Sequence, residues 1–187
     1  MFWAHEGFIG TPGRMALSNL LRNPASKIHR LELQDNMLDD EQMVTLSISM
    51  IGLMRSKSMK SLDLSQNHSV TAKGWGALSS ILFHPMCKIE CLSLEENVLG
   101  DEGITYLGEA LAANKSVQVL DLFGIESITH DGWREFLKCL RNPDSSLNCL
   151  NLAGCGIDDD GAAMIMNALE ENVSLKRLML EFNHISL

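Results

Sequence analysis

At 187 residues, 45% of them apolar, the chain is long enough to build a continuous core, and its net charge of −9 argues against non-specific nucleic-acid binding, which draws on clustered Lys and Arg against phosphates. The longest apolar stretch, Met43 to Met54, is broken by Thr45, Ser47 and Ser49, and falls short of the roughly 20 apolar residues that cross a bilayer. The N-terminus has no basic lead before a long apolar run and does not read as a signal peptide, and five cysteines without a CxxC pair argue against a disulfide framework and for a reducing, cytoplasmic setting.

In chain order, residues 1–27 read as a partial repeat. Ile9-x-x-x-Gly13 lies in the frame of Val70-x-x-x-Gly74 and Ile128-x-x-x-Gly132, and carrying that frame back puts Met1 and Trp3 on strand leucine positions. From Ile28 one pattern then recurs, I-x-x-L-x-L-x-x-N. It runs over 28–36, 59–67, 89–97, 117–125, 147–155 and 175–183, anchored by Leu31, Leu62, Leu92, Leu120, Leu150 and Leu178. A fixed period of this length marks a solenoid. The expected organisation is a single domain over 1–187, with six repeats of 28–31 residues over 28–187, the last truncated.

Between the strands lie helices. Asp39-Asp40-Glu41 opens one whose apolar face is Met43, Leu46, Met50, Leu53 and Met54, at the spacing of one helical stripe. Asp101-Glu102-Gly103 opens another with Ile104, Leu107 and Leu111. Asp158-Asp159-Asp160-Gly161 opens a third with Met164, Ile165, Ala168 and Leu169. Acidic residues at helix starts accept free N–H groups and suit the positive end of the dipole. The second and fourth repeats differ in a regular way. Both carry Thr-x-x-Gly-Trp (Thr71 to Trp75, Thr129 to Trp133) and end their helices before Pro85 and Pro143, so two unit types alternate.

The strand consensus resembles that of leucine-rich repeats. The period, with one helix per unit, is similar to the ribonuclease-inhibitor-like class. Asn142-Pro143-x-x-Ser146-Leu147 and His84-Pro85-x-Cys87-x-Ile89 resemble the proline-bearing units of ribonuclease inhibitors and NOD-like receptor ectodomains. The resemblance implies an α/β fold: a right-handed β-α solenoid, a horseshoe arc with a parallel sheet on its concave face and helices on its convex face. Ile125 and Cys155 depart from it, standing where Asn is usual.

Successive strand side chains point to opposite faces, so the leucines face the helices and the x positions face the concavity. Over the six repeats these positions hold seven acids and two bases. The bases, Arg30 and Arg177, sit in the two end repeats, which leaves an acidic middle. The partner-binding residues expected from this pattern are Glu32, Asp63, Glu95, Glu96 and Asp121, with Phe123 and Met179 as apolar anchors. Two histidines, His68 and His130, read as surface loop residues, and Trp75 and Trp133 as inter-unit packing. The Asp158-Asp159-Asp160 run lacks the alternating spacing and distal Glu of a calcium loop and reads as a helix cap. The sequons at Asn67, Asn114 and Asn172 occupy structural positions. No catalytic constellation, metal site or cofactor motif stands out.

The expectation is a non-catalytic protein-interaction module for a protein partner, basic in character, with no nucleic acid or membrane involved, monomeric or associating weakly end to end. An alternative from the resemblance is a sensor fragment of a larger NOD-like-receptor-type protein. A third is a small-GTPase activator on the same fold. Such proteins act through loops after the strands, where this chain has no Arg; Arg14 is the only one near a helix start.

Overall fold

Each strand is short because only the stretch around the central leucine stays extended. The strands are β1 (Phe2–Trp3), β2 (Arg30–Glu32), β3 (Ser61–Asp63), β4 (Cys91–Ser93), β5 (Val119–Asp121), β6 (Cys149–Asn151) and β7 (Arg177–Met179). In the computed structural model, which describes residues 2–3 and 11–186, they form one parallel sheet in chain order. The register pairs Leu31, Leu62, Leu92, Leu120, Leu150 and Leu178 in a row. A slip of one residue would turn every leucine to solvent, so the repeat itself enforces this alignment.

The frame carried back to the N-terminus is off by one. Phe2, rather than Met1 or Trp3, stands opposite Leu31, and Trp3 stands opposite Glu32. Ile9 itself, with His5 and the remainder of 4–10, lies outside the described residues.

The helices are α1 (Thr11–Arg22), α2 (Asp40–Ser56), α3 (Ala72–Leu82), α4 (Gly100–Ala113), α5 (His130–Phe136) and α6 (Asp159–Leu169). Their expected apolar faces form the core. Met43, Leu46, Met50, Leu53 and Met54 are buried, as are Ile104, Leu107 and Leu111. In α6, Ile165 and Ala168 are buried, while Met164 and Leu169 are half-buried on the open side of the stack. One hydrophobic cluster runs from Leu17 to Ala168. Helix α5 tightens into a 3-10 turn, Leu137–Arg141, ahead of Pro143, since proline cannot continue a helix.

Asp39 and Asp158 cap their own helices. Asp39 accepts the Gln42 N–H at 2.8 Å while Gln42 reaches back to the Asp39 N–H, a capping box; Asp158 accepts the Gly161 N–H at 2.9 Å. Asp101 departs from the capping expectation. Its carboxylate accepts the N–H and hydroxyl of Thr129 in the next unit, at 2.8 and 2.6 Å. Asp40 does the same to Thr71, and adds the Gly74 N–H at 3.0 Å. Burial works against the charge on Asp40, but the Thr71 hydroxyl, the Thr71 and Gly74 amides and Lys73 outweigh it and hold the carboxyl below its ordinary value. The clamp leaves no room for a side chain beneath it. A Cβ on Gly132 would stand 2.4 Å from an Asp101 oxygen, and one on Gly74 2.7 Å from Asp40.

The repeat asparagines form a buried ladder. The Asn67 side-chain oxygen accepts the N–H groups of Asn36 and Leu38, and its NH2 donates to the carbonyls of Leu33, Leu64 and Ser65. Asn97 and Asn183 work alike. Cys155 fills the slot with its thiol, which donates to the Leu122 carbonyl at 3.1 Å; burial, above all, pushes that thiol up to about 11. Ile125 brings no polar group, and the ladder breaks there. Trp75 and Trp133 are buried between units, and the Trp75 indole donates to the Val98 carbonyl at 3.1 Å.

Candidate functional site

The concave middle is built by β3, β4 and β5. Register places Asp63, Ser93 and Asp121 in one row across these strands. Neighbouring strands lie about 4.8 Å apart, so the two aspartates stand on either side of Ser93, about 10 Å apart along the row. Just beyond the strand, Glu95 is half-buried and accepts the Ser93 hydroxyl at 3.2 Å; Ser93 also shares a 2.8 Å hydroxyl pair with Ser65. Burial, and then the charges of Asp121 and Asp63, push the Glu95 carboxyl above its ordinary value, against the pull of the Ser93 hydroxyl. The charges of two aspartates, from the units on either side, therefore act on Glu95.

Part of this acid is structural. Asp63 accepts the Ser65 N–H and Asp121 the Phe123 N–H, each at 3.0 Å, in the side-chain turn typical of Asp. Asn151 repeats the contact with Ala153. Glu96 is exposed and takes a bond from Gln66 at 3.1 Å. Phe123 is half-buried, its ring lying over Gly154, where a Cβ would meet it at 3.6 Å. The fold thus brings together Asp63, Glu95, Glu96, Asp121 and Phe123. It holds two expected site residues apart from them. Glu32 is ion-paired with Arg30 at 2.8 Å within its own strand, and Met179 lies on β7, two strands beyond Asp121.

Two features of this face are not legible in the repeat pattern. Ser65 and Ala153, at x positions of the repeat, are only 2% and 5% exposed, whereas Glu181 in the same column is exposed. The column before the asparagine is left-handed throughout: Asp35, Gln66, Glu96, Gly124, Gly154 and Phe182 have φ between 51° and 71°. The glycines at 124 and 154 were the available signal. Among the described residues no group of three or more His, Cys, Asp or Glu gathers as a metal site requires, and no helix is long and apolar enough to cross a membrane.

Residues 55–79, 86–108 and 144–166 match the family model described as a leucine-rich repeat. The chain is a leucine-rich-repeat protein. It is 31% identical over 170 residues to NACHT, LRR and PYD domains-containing protein 4E of Mus musculus, covering 90% of this chain and 17% of that protein. It is 33% identical over 156 residues to leucine-rich repeat-containing protein 73 of Homo sapiens, covering 81% of this chain and 48% of that one. The leucine-rich-repeat chain thus spans about a sixth of the first relative and about half of the second. Among solved structures, the tropomodulin C-terminal domain of Caenorhabditis elegans superposes with a TM-score of 0.65 at 14% identity, over 85% of this chain and 92% of that one. Leiomodin-1 actin-binding site 2 gives 0.58 at 16% identity, over 91% and 78%. These two likenesses concern the fold alone. The repeats and the relatives make this a protein-interaction fold resembling NOD-like receptor ectodomains.

Proposed function

We propose that this leucine-rich-repeat protein binds a protein partner, without catalysing a reaction, through the acidic middle of its concave sheet. The observation that carries this reading is that Asp63 and Asp121 flank Ser93 in register and that their charges act on the half-buried Glu95. A Lys- or Arg-bearing segment laid across β3 to β5 would relieve that repulsion and be steered to it. Phe123 offers an apolar anchor beside the charges, and the preformed sheet loses little entropy on binding. Glu32, Glu96 and Met179 would extend the contact at its flanks. The reading places the chain in the cytoplasm as the sensing part of a larger NOD-like-receptor-type protein, in keeping with its share of the NACHT relatives.

The test compares the wild-type chain with an Asp63→Asn/Glu95→Gln/Asp121→Asn variant, in affinity capture from lysate and in titration with a Lys/Arg-rich peptide. The expected result is a partner held by the wild type, released by rising salt and lost with the variant. Recovery of the same partners by both would move the site to the helical wall or the loops.

A further inference from the structure

We infer that the rim where helices end and strands begin carries a second docking surface, fitted to an acidic protein segment with an apolar anchor residue. Five exposed cations frame it: Arg22, Lys27, Arg55, Lys57 and Lys88. The backbone gathers them around the C-terminus of α2. Gly52 lies so close to the end of α1 that a Cβ would stand 2.4 Å from the Arg22 carbonyl oxygen. The Ser58 hydroxyl donates to the Ser26 carbonyl at 3.1 Å, tying the segment of Lys57 to that of Lys27. Lys88 lines the same small recess as Met54 and Met59.

No carboxylate occurs in residues 22–30, 55–62 or 83–89. Among the described residues none of the five cations takes part in an ion pair, whereas nearby Arg30 and Lys60 pair with Glu32 and Glu90. Helix-dipole compensation accounts for Arg22, Arg55 and Lys57, which end their helices. It does not account for Lys27 and Lys88, which lie past the helix ends, each three residues before a strand. Exposed apolar side chains belong to the same segments: Ile51, one helical turn before Arg55, is 43% exposed, and Phe83 and Met86, ahead of Lys88, are 60% and 36% exposed.

In a chain of net charge −9, this acid-free rim is a local reversal of sign, and charge complementarity selects an acidic occupant. A Glu/Asp-bearing peptide offers carboxylates for the cations and, through one apolar side chain, cover for the exposed Ile51, Phe83 or Met86. The occupant is therefore an acidic peptide segment, seated opposite in charge to the partner of the concave face.

The test is fluorescence anisotropy of a labelled Glu/Asp-rich peptide holding a single Phe, titrated with the full chain. The variants are Arg22→Glu/Arg55→Glu/Lys57→Glu/Lys88→Glu, its milder all-Gln counterpart, and the concave variant Asp63→Asn/Glu95→Gln/Asp121→Asn. Binding is expected to weaken with salt, to fall about tenfold or more on charge reversal, to fall less with Gln, and to persist in the concave variant. Circular dichroism melts establish that the variants fold, and the Gln series decides the matter if the Glu series does not. The proposal is overturned if the peptide fails to bind, if the Gln variant binds as the wild type does, or if the chain sediments with phosphatidylserine vesicles and ignores the peptide.

Discussion

Asp40 accepts the hydroxyl of Thr71 at 2.6 Å across 31 residues of sequence, and Asp101 repeats the contact with Thr129 at the same distance. Each aspartate opens one helix and holds the threonine that caps the next, so one side chain fixes the spacing of two units. Asp40→Ala and Asp101→Ala should each lower stability by about 1–2 kcal/mol, the size of a lost helix cap, as urea unfolding would read. Asp40 has a folded pKa below its ordinary value. Its share of stability is thus complete above the ordinary carboxylate range and is lost as pH falls through the folded value. Asp40→Asn should flatten the acid limb of the stability profile.

Two glycines in neighbouring helices should respond to Ala with opposite signs. A Cβ on Gly52 would collide with the Arg22 backbone at 2.4–2.5 Å, and overpacking against backbone costs about 1–3 kcal/mol. A Cβ on Gly76 would rest 3.4 Å from the Tyr106 ring, an ordinary contact, and should gain up to about 1 kcal/mol from helix propensity. Thermal unfolding of Gly52→Ala and Gly76→Ala would show a fall and a rise. Equal shifts would mean that the α1–α2 approach is looser than described.

The broken ladder gives a test that runs against the usual cost of burying a polar residue. Ile125→Asn places an amide oxygen where Asn97 and Leu99 would donate, as Asn36 and Leu38 donate to Asn67. A gain of about 1 kcal/mol is expected. Asn67→Leu removes five hydrogen bonds from a buried position and should cost about 3 kcal/mol or more. Destabilisation by Ile125→Asn would show that the loop has closed around the isoleucine.

Glu95 carries the reverse sign to Asp40. Its carboxyl is held above its ordinary value, so the folded chain binds that proton more tightly than the unfolded one. Glu95 then costs stability once pH rises past its folded value. Glu95→Gln should raise the melting temperature at neutral pH and leave it unchanged at acid pH. A melting temperature lowered at both would assign Glu95 a structural bond outweighing the repulsion.

The architecture was legible because a repeat reports the same fact many times. The row from Leu31 to Leu178 fixes strand register, and Met43 to Met54 fixes a helix face, each through periodicity alone. What stayed hidden depended on contacts between units. That Asp101 serves Thr129 and not its own helix, and that the charges of Asp63 and Asp121 act on Glu95, are matters of neighbouring units, which spacing along one chain does not show. The N-terminal frame failed for a simpler reason: no repeat leucine marks the register in residues 1–10, and Phe2 stands opposite Leu31.

The clamps fall on alternate junctions. Asp40 joins the units of Leu31 and Leu62, Asp101 those of Leu92 and Leu120, and Asp159 accepts the Ser186 N–H at 2.7 Å between the units of Leu150 and Leu178. Of the junctions between, that of Leu120 and Leu150 sets His130 against Asp158 side chain to side chain, both half exposed, and that of Leu62 and Leu92 has the bond from the Trp75 indole to the Val98 carbonyl. Under mechanical load the arc is then a chain of riveted pairs, with its compliance concentrated at the seams between them. Stretched in a force experiment, it should lengthen in steps of two units, and its curvature should adjust to a partner at the seams first.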